Sequence, residues 1–153
     1  AACGLKPLSV AADRIALTAM RAAGILARLN DEGRPVDRSG GGVVVEVYPA
    51  ASLKIWQLPH QGYKRAENER VREHLIGSLL TAAPWLDLGS HTDLCVQSDD
   101  AFDAVIAALT ARAHALKQTT TPAAGLQHEQ AKREGWIVLP TRPLSTLIQA
   151  PPR

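Results

Sequence analysis

The stretch S-D-D-A-F-D-A-V-I-A-A-L-T-A-R-A at residues 98–113 constrains the fold more than any other part of the chain. Phe102, Ile106, Leu109, Ala113 and Leu116 recur at helical spacing and form one stripe. Ala101, Ala104, Val105 and Ala108 make the adjoining surface apolar as well. A helix apolar over most of its circumference belongs in a core or against a sheet. Asp103 nevertheless sits inside it, and Asp99 and Asp100 precede it at spacings that let all three carboxylates share a face. An unpaired buried carboxylate is costly, so Asp103 requires a cation, a donor or water. Asp99 and Asp100 read as a cap and as complements to the helix dipole. Asp103 lies past the cap position, and is either a structural acid or a metal ligand at the rim of a site.

A chain of 153 residues has the size of one domain, and its 46% hydrophobic content is enough for a core. Aromatics are scarce at 4%, so packing falls to the abundant alanines. A net charge of +2 does not mark a strongly basic nucleic-acid binder, although a local patch can hide in a balanced total. No apolar run has the length of a membrane span, and no signal peptide is visible. Cys3 and Cys95 lack metal-ligand spacing and read as reduced thiols of a cytoplasmic protein. The chain opens at A-A-C-G without Met, which reads as a piece of a longer protein.

Residues 1–12 read as a loop and 13–30 as a helix, with Ile15, Ala19, Ala22, Leu26 and Leu29 on its inner face and Asp13 at its start as a cap. The polar segment ending in Gly40–Gly42 is a connection. V-V-V-E-V-Y at 43–48 is the clearest strand, continuous and β-branched as in a sheet covered on both faces. Glu46 interrupts it. That acid either faces water or an Arg at the strand end, or is placed to hold a cation. Pro49 stops the ladder and a short helix follows at 50–56.

The loop at 57–66 brings Tyr63, Lys64 and Arg65 together, either as solvated residues or as contacts to a phosphate or a stacked base. His60 has no second His at zinc spacing. Residues 67–82 form a helix that buries Val71, Leu75, Ile76, Leu79 and Leu80 and turns Glu67, Glu69, Arg70, Arg72 and Glu73 to water. A short strand is expected at Leu94–Val96, and another after the turn at Glu134–Gly135. His114, late in the central helix, complements its dipole. Residues 141–153 read as a loosely held tail. No P-loop, no G-x-S-x-G elbow and no G-x-G-x-x-G fingerprint is present.

Helices alternating with strands make the chain α/β, with few strands for a sheet. Glu46 in a strand and Asp103 in an apolar helix are the acids in unusual places. Acids converging at one end of a sheet are what two-metal phosphodiester chemistry uses, and two are one short of a full set.

E-V-Y-P-A-A at 46–51, G-Y-K at 62–64, D-A-F-D-A-V-I-A-A-L at 100–109 and E-G-W-I-V-L-P at 134–140 resemble the predicted RNase H-like nuclease family catalogued as domain of unknown function 429, and P-L-S-V-A-A-D-R-I at 7–15 fits it too. The helix around Asp100 and Asp103 is also similar to the final acidic helix of RuvC-type resolvases. The resemblance implies an RNase H-like fold, a mixed central sheet flanked by helices, and metal-dependent cleavage of nucleic acid. It matches Glu46 to the acid of the fourth strand and Asp103, with Asp100, to those of the last helix. Glu46 and Asp103 would bind Mg²⁺ or Mn²⁺, Asp100 would assist, and Tyr63 and Lys64 would contact the substrate. The family's opening strands and their early Asp have no counterpart, so the chain would be the C-terminal part of the domain, with a missing segment completing the site. A partial sheet leaves an edge open to homo-oligomerisation. The alternative is a non-catalytic module of the same fold that binds nucleic acid or protein. A nucleotide phosphotransferase ranks third, for want of a glycine-rich phosphate loop.

Overall fold

A computed structural model describes residue 4, residues 16–65 and residues 67–148. The expected cap at Asp13, and Ile15 and Cys3, lie outside the described residues. The elements are α1 (Ala16–Asp31), β1 (Glu46–Val47), α2 (Pro49–Ile55), α3 (Glu69–Ala82), α4 (Thr92–Gln97), α5 (Asp99–Ala115), α6 (Leu126–Glu134) and β2 (Ile137–Val138), with 3₁₀ turns at Gly89–His91 and Leu144–Ile148. β1 and β2 pair as a two-stranded sheet. The chain divides into two compact units: unit 1 takes residues 1–46 and 121–137, and unit 2 takes 47–120 and 138–153.

Unit 2 holds a core around α5. Ser98 caps this helix, its hydroxyl accepting from the Ala101 N–H at 3.2 Å, and Asp99 and Asp100 occupy the first turn, where carboxylates suit the dipole. Phe102, Ile106, Leu109, Ala113 and Leu116 are all buried, which is the stripe the spacing predicts. They pack with Leu53 and Trp56 of the α2 segment, Leu75, Ile76 and Leu79 of α3, and Cys95 of α4. Pro49 does more than end a strand: it stands in the first turn of α2, where its missing N–H is no loss. Thr110 adds a buried polar tie: its hydroxyl donates to the Ile106 carbonyl and accepts from the Ser52 hydroxyl, each at 2.9 Å.

Several expectations need correction. The strand foreseen over 43–48 is confined to Glu46–Val47, and Val43 is 82% exposed. β propensity does not make a strand without a ladder partner, and β2 offers only two residues. Leu94–Cys95–Val96 belongs to helix α4. A short apolar run is ambiguous between the two states, and here one side chain, Cys95, turns inward while Leu94 stays exposed. α6 was not foreseen, because its sequence has no apolar stripe and buries only Ala131. Residues 144–148 are not loose: Leu144 and Leu147 enter the core, the Arg112 Nε donates to the Leu147 carbonyl, and the Thr146 hydroxyl donates to Gln118 Oε1 at 2.6 Å. In unit 1, α1 follows the predicted helix closely but buries no residue. Its foreseen inner face is half-buried at Ala19, Leu26 and Leu29 and exposed at Ala22.

Candidate functional site

The loop that carries G-Y-K meets α5 in unit 2. Gly62 has φ +77°, a backbone conformation that glycine adopts without the Cβ clash, and its carbonyl accepts from the Asn68 amide. That turn sends Tyr63 into the core, where its ring meets Phe102 edge to face, with centroids 5.7 Å apart and planes at 76°. The Tyr63 hydroxyl donates to Asp103 Oδ1 at 2.8 Å, and the Lys64 ammonium donates to Asp103 Oδ2. The same ammonium lies 5.7 Å from the Tyr63 ring centroid, within cation–π range. The Asp103 side chain is 17% exposed and that of Lys64 is 52% exposed. Burial, reinforced by the Asp103 carboxylate, pushes the Tyr63 hydroxyl far above its ordinary pKa, so it is a donor at any physiological pH. The carboxylate foreseen inside the apolar helix thus has its required partners.

Tyr63 is fully buried and presents no face on which a base could stack, which removes that half of its expected role. It holds Asp103 instead. Asp100, the expected helper, is exposed in the first turn of α5.

Arg72 fixes this loop, and its role corrects the expectation of a solvated residue. It is 0% exposed. Its Nε donates to the Val96 carbonyl at 2.6 Å, Nη1 to the carbonyls of Tyr63 and Arg65 at 2.8 and 2.7 Å, and Nη2 to that of Gln97 at 3.3 Å. The residues on both sides of Lys64, and the two just before the Ser98 cap, are therefore tied to one guanidinium, whose rigid fork suits the task. The signal was in the sequence: position 72 is in helical phase with Leu75, Ile76 and Leu79, the buried stripe of α3. Val71, expected inside, is 37% exposed.

Glu46 belongs to unit 1. The Arg38 Nη2 is 3.5 Å from Glu46 Oε1, and each side chain is 45% exposed. Arg38 also donates to the carbonyls of Arg133 and Glu134 at 2.9 and 3.0 Å, groups at the end of α6 that the helix cannot satisfy itself. Gly135, at φ +95°, closes α6, and a Cβ there would lie 2.8 Å from Glu46 Oε2, so the glycine also gives the carboxylate its room. Of the two meanings open to Glu46, the Arg partner is the one seen. Nearby, the hydroxyl and amide of Ser39 donate to Asp37 Oδ1 at 2.6 and 2.9 Å and hold that carboxyl below its usual pKa.

The expected Mg²⁺ or Mn²⁺ needs several oxygen ligands around one point. Among the described residues no three His, Cys, Asp or Glu side chains are grouped closely enough to hold a metal ion. Each predicted ligand already faces a basic side chain, Lys64 at Asp103 and Arg38 at Glu46. The described residues by themselves do not fit the metal. What they form is a half-exposed ammonium held in place by a largely buried acid, a buried phenol and a clamped backbone. No helix among the described residues is long and apolar enough to cross a membrane.

Neither the curated proteins nor the solved structures contain a match to this chain. A family model does match, over residues 1–125, and it carries the description "Protein of unknown function (DUF429)". The matched span includes E-V-Y-P-A-A, G-Y-K and the helix around Asp103, but stops short of E-G-W-I-V-L-P at 134–140. With 125 of its 153 residues matched, the chain belongs to this family of proteins of unknown function.

Proposed function

We propose that the chain is a nucleic-acid-directed module of RNase H-like type, whose working residues are Lys64, Tyr63 and Asp103 and whose action is binding. The observation that carries this reading is the Lys64 ammonium, half exposed yet fixed by Asp103 and by the clamped backbone on either side of it. A lysine has three N–H donors, so one given to Asp103 leaves two for phosphate oxygens. Arg65, also exposed, adds a second cation beside it. Such contacts position a backbone without reading sequence, and their strength falls with salt. The test is titration of labelled single-stranded and duplex DNA and RNA at 50 and 200 mM salt, as probe conditions of roughly the range in which phosphate contacts respond. Salt-dependent binding that weakens several-fold in Lys64→Met supports the reading. Absence of binding, or binding indifferent to Lys64→Met, sinks it.

A second reading is the metal-dependent nuclease with Glu46, Asp103 and Asp100 as acids and Mg²⁺ or Mn²⁺ as cofactor. It is favoured by the low exposure of Asp103 beside two further acids on the same helix. Calorimetry with Mn²⁺, run alongside cleavage of the same nucleic acids, separates the two. Mn²⁺-dependent cleavage abolished by Asp103→Asn and Glu46→Gln establishes the nuclease. Binding that persists in Mn²⁺ without cleavage leaves the module.

A further inference from the structure

Unit 2 contains a cavity of about 460 Å³, distinct from the Lys64–Asp103 cluster, between the last turns of α2 and α3 and the segment 140–145. Its volume falls in the range of small-molecule sites. Ile55, Trp56 and Leu144 give it an apolar wall. Thr141 and Ser145 bring hydroxyls, and Arg142 is the one charged residue among those that line it. Arg142 is exposed and takes part in none of the ion pairs among the described residues. No acid faces it from the other lining elements.

Near the end of α2 the Lys54 carbonyl accepts from the Gln57 N–H at 3.1 Å and that of Leu53 from the Leu58 N–H at 2.9 Å. The indole N–H of Trp56 is buried with no acceptor among the described residues. An unopposed guanidinium beside two hydroxyls at the mouth of an aromatic-walled cavity has one complement. It is an anionic head of carboxylate or phosphate type on a flat apolar body.

We propose that this cavity is a binding site for a small organic anion of that class, with Arg142 holding the head, Thr141 and Ser145 orienting it, and Trp56 packing against the body. The test uses phenyl phosphate and benzoate as probes, with benzylamine as the cationic control. Binding is followed by calorimetry and by the amide and indole shifts of the full chain. Either anion is expected to bind saturably and to move the resonances of Trp56, Thr141 and Ser145; the tighter of the two names the head group. Arg142→Gln, a change at an exposed position, is expected to weaken that binding at least ten-fold. Ser145→Phe, which fills the cavity from its rim, is expected to abolish it. Lack of saturable binding by both anions, equal binding of benzylamine, or survival of binding in either variant overturns the proposal. Arg142→Gln should leave nucleic-acid binding at Lys64 unchanged, so failure here is distinguishable from failure of the proposed function.

Discussion

Arg72 in unit 2 and Arg38 in unit 1 both donate to main-chain carbonyls, yet Arg72 is 0% exposed while 45% of the Arg38 side chain is exposed. Arg72 ties four carbonyls through bonds that are buried at Tyr63 and part-buried at Arg65, Val96 and Gln97, beside a core that contains Phe102 and Tyr63. Arg38 ties two carbonyls at the end of a polar helix and faces a carboxylate in solvent. The same donor geometry thus has a different energetic meaning according to how readily water can replace it. In unit 2 the guanidinium is part of the core. In unit 1 it is an exposed helix cap.

The comparison can be broken most directly at Arg72. Arg72→Met leaves one buried and three part-buried carbonyls without this donor, and about 3 kcal/mol of stability should be lost, measured as the denaturant midpoint of the cooperative transition. Arg72→Lys keeps the charge but not the fork, and should recover only part of that loss. If Arg72→Met costs no more than Arg38→Met, the carbonyls are satisfied in another way and the distinction between the units falls.

Next in size is Tyr63→Phe. It removes a hydrogen bond to a charged acceptor, with an expected loss of about 1.5–3 kcal/mol at neutral pH. It should also change the alkaline limb of stability. The folded-state pKa of Tyr63 is raised, so its contribution is complete below the unfolded value near 10 and is lost as pH climbs above it toward the folded value. Burial likewise raises the Cys95 thiol and adds to the loss above about pH 9. Stability measured from pH 8 to 11 should therefore fall less steeply in Tyr63→Phe than in the unaltered chain, and an identical slope would argue against a buried neutral phenol.

Arg38→Met should cost about 0.5–1.5 kcal/mol, since water can take over the exposed carbonyls of α6. Amide exchange in residues 126–134 is the sensitive readout, and a loss as large as that of Arg72→Met would contradict the exposed-cap assignment. The smallest effect belongs to Asp37→Asn. The Asp37 pKa is depressed by Ser39, so its contribution is present above the unfolded value of 3.8 and is lost as pH falls through the folded one. Unit 1 should thus show a slight acid-side loss that Asp37→Asn removes, where unit 2 shows its loss on the alkaline side.

Much of α5 was legible in the sequence, because a stripe repeated over several turns has a period no strand can imitate. The buried set of Phe102, Ile106, Leu109, Ala113 and Leu116 coincides with it. Arg72 was legible by position and hidden by type: its phase places it inside α3, while its charge places it outside. The propensity of 43–48 for a strand exceeds the two residues that pair, because pairing depends on a partner far along the chain. The site was legible as separate pieces. Tyr63 and Lys64 on one loop and Asp103 on one helix were named as candidates, but a forty-residue separation between Tyr63 and Asp103 gives no signal that their side chains meet.

Local sequence sets the helices with strong periodicity and the need of Asp103 for a partner, since these follow from the helical period and from the cost of a desolvated charge, whereas the cap read at Asp99 or Asp100 falls to Ser98. Tertiary structure alone decided who that partner is. It placed the Lys64 ammonium and the Tyr63 hydroxyl on the two oxygens of Asp103, gave Glu46 to Arg38, and turned Arg72 inward to the carbonyls around Lys64. Those choices rest on non-local burial, which sets the local dielectric and removes water as a competing partner, and no single stretch of the chain encodes it.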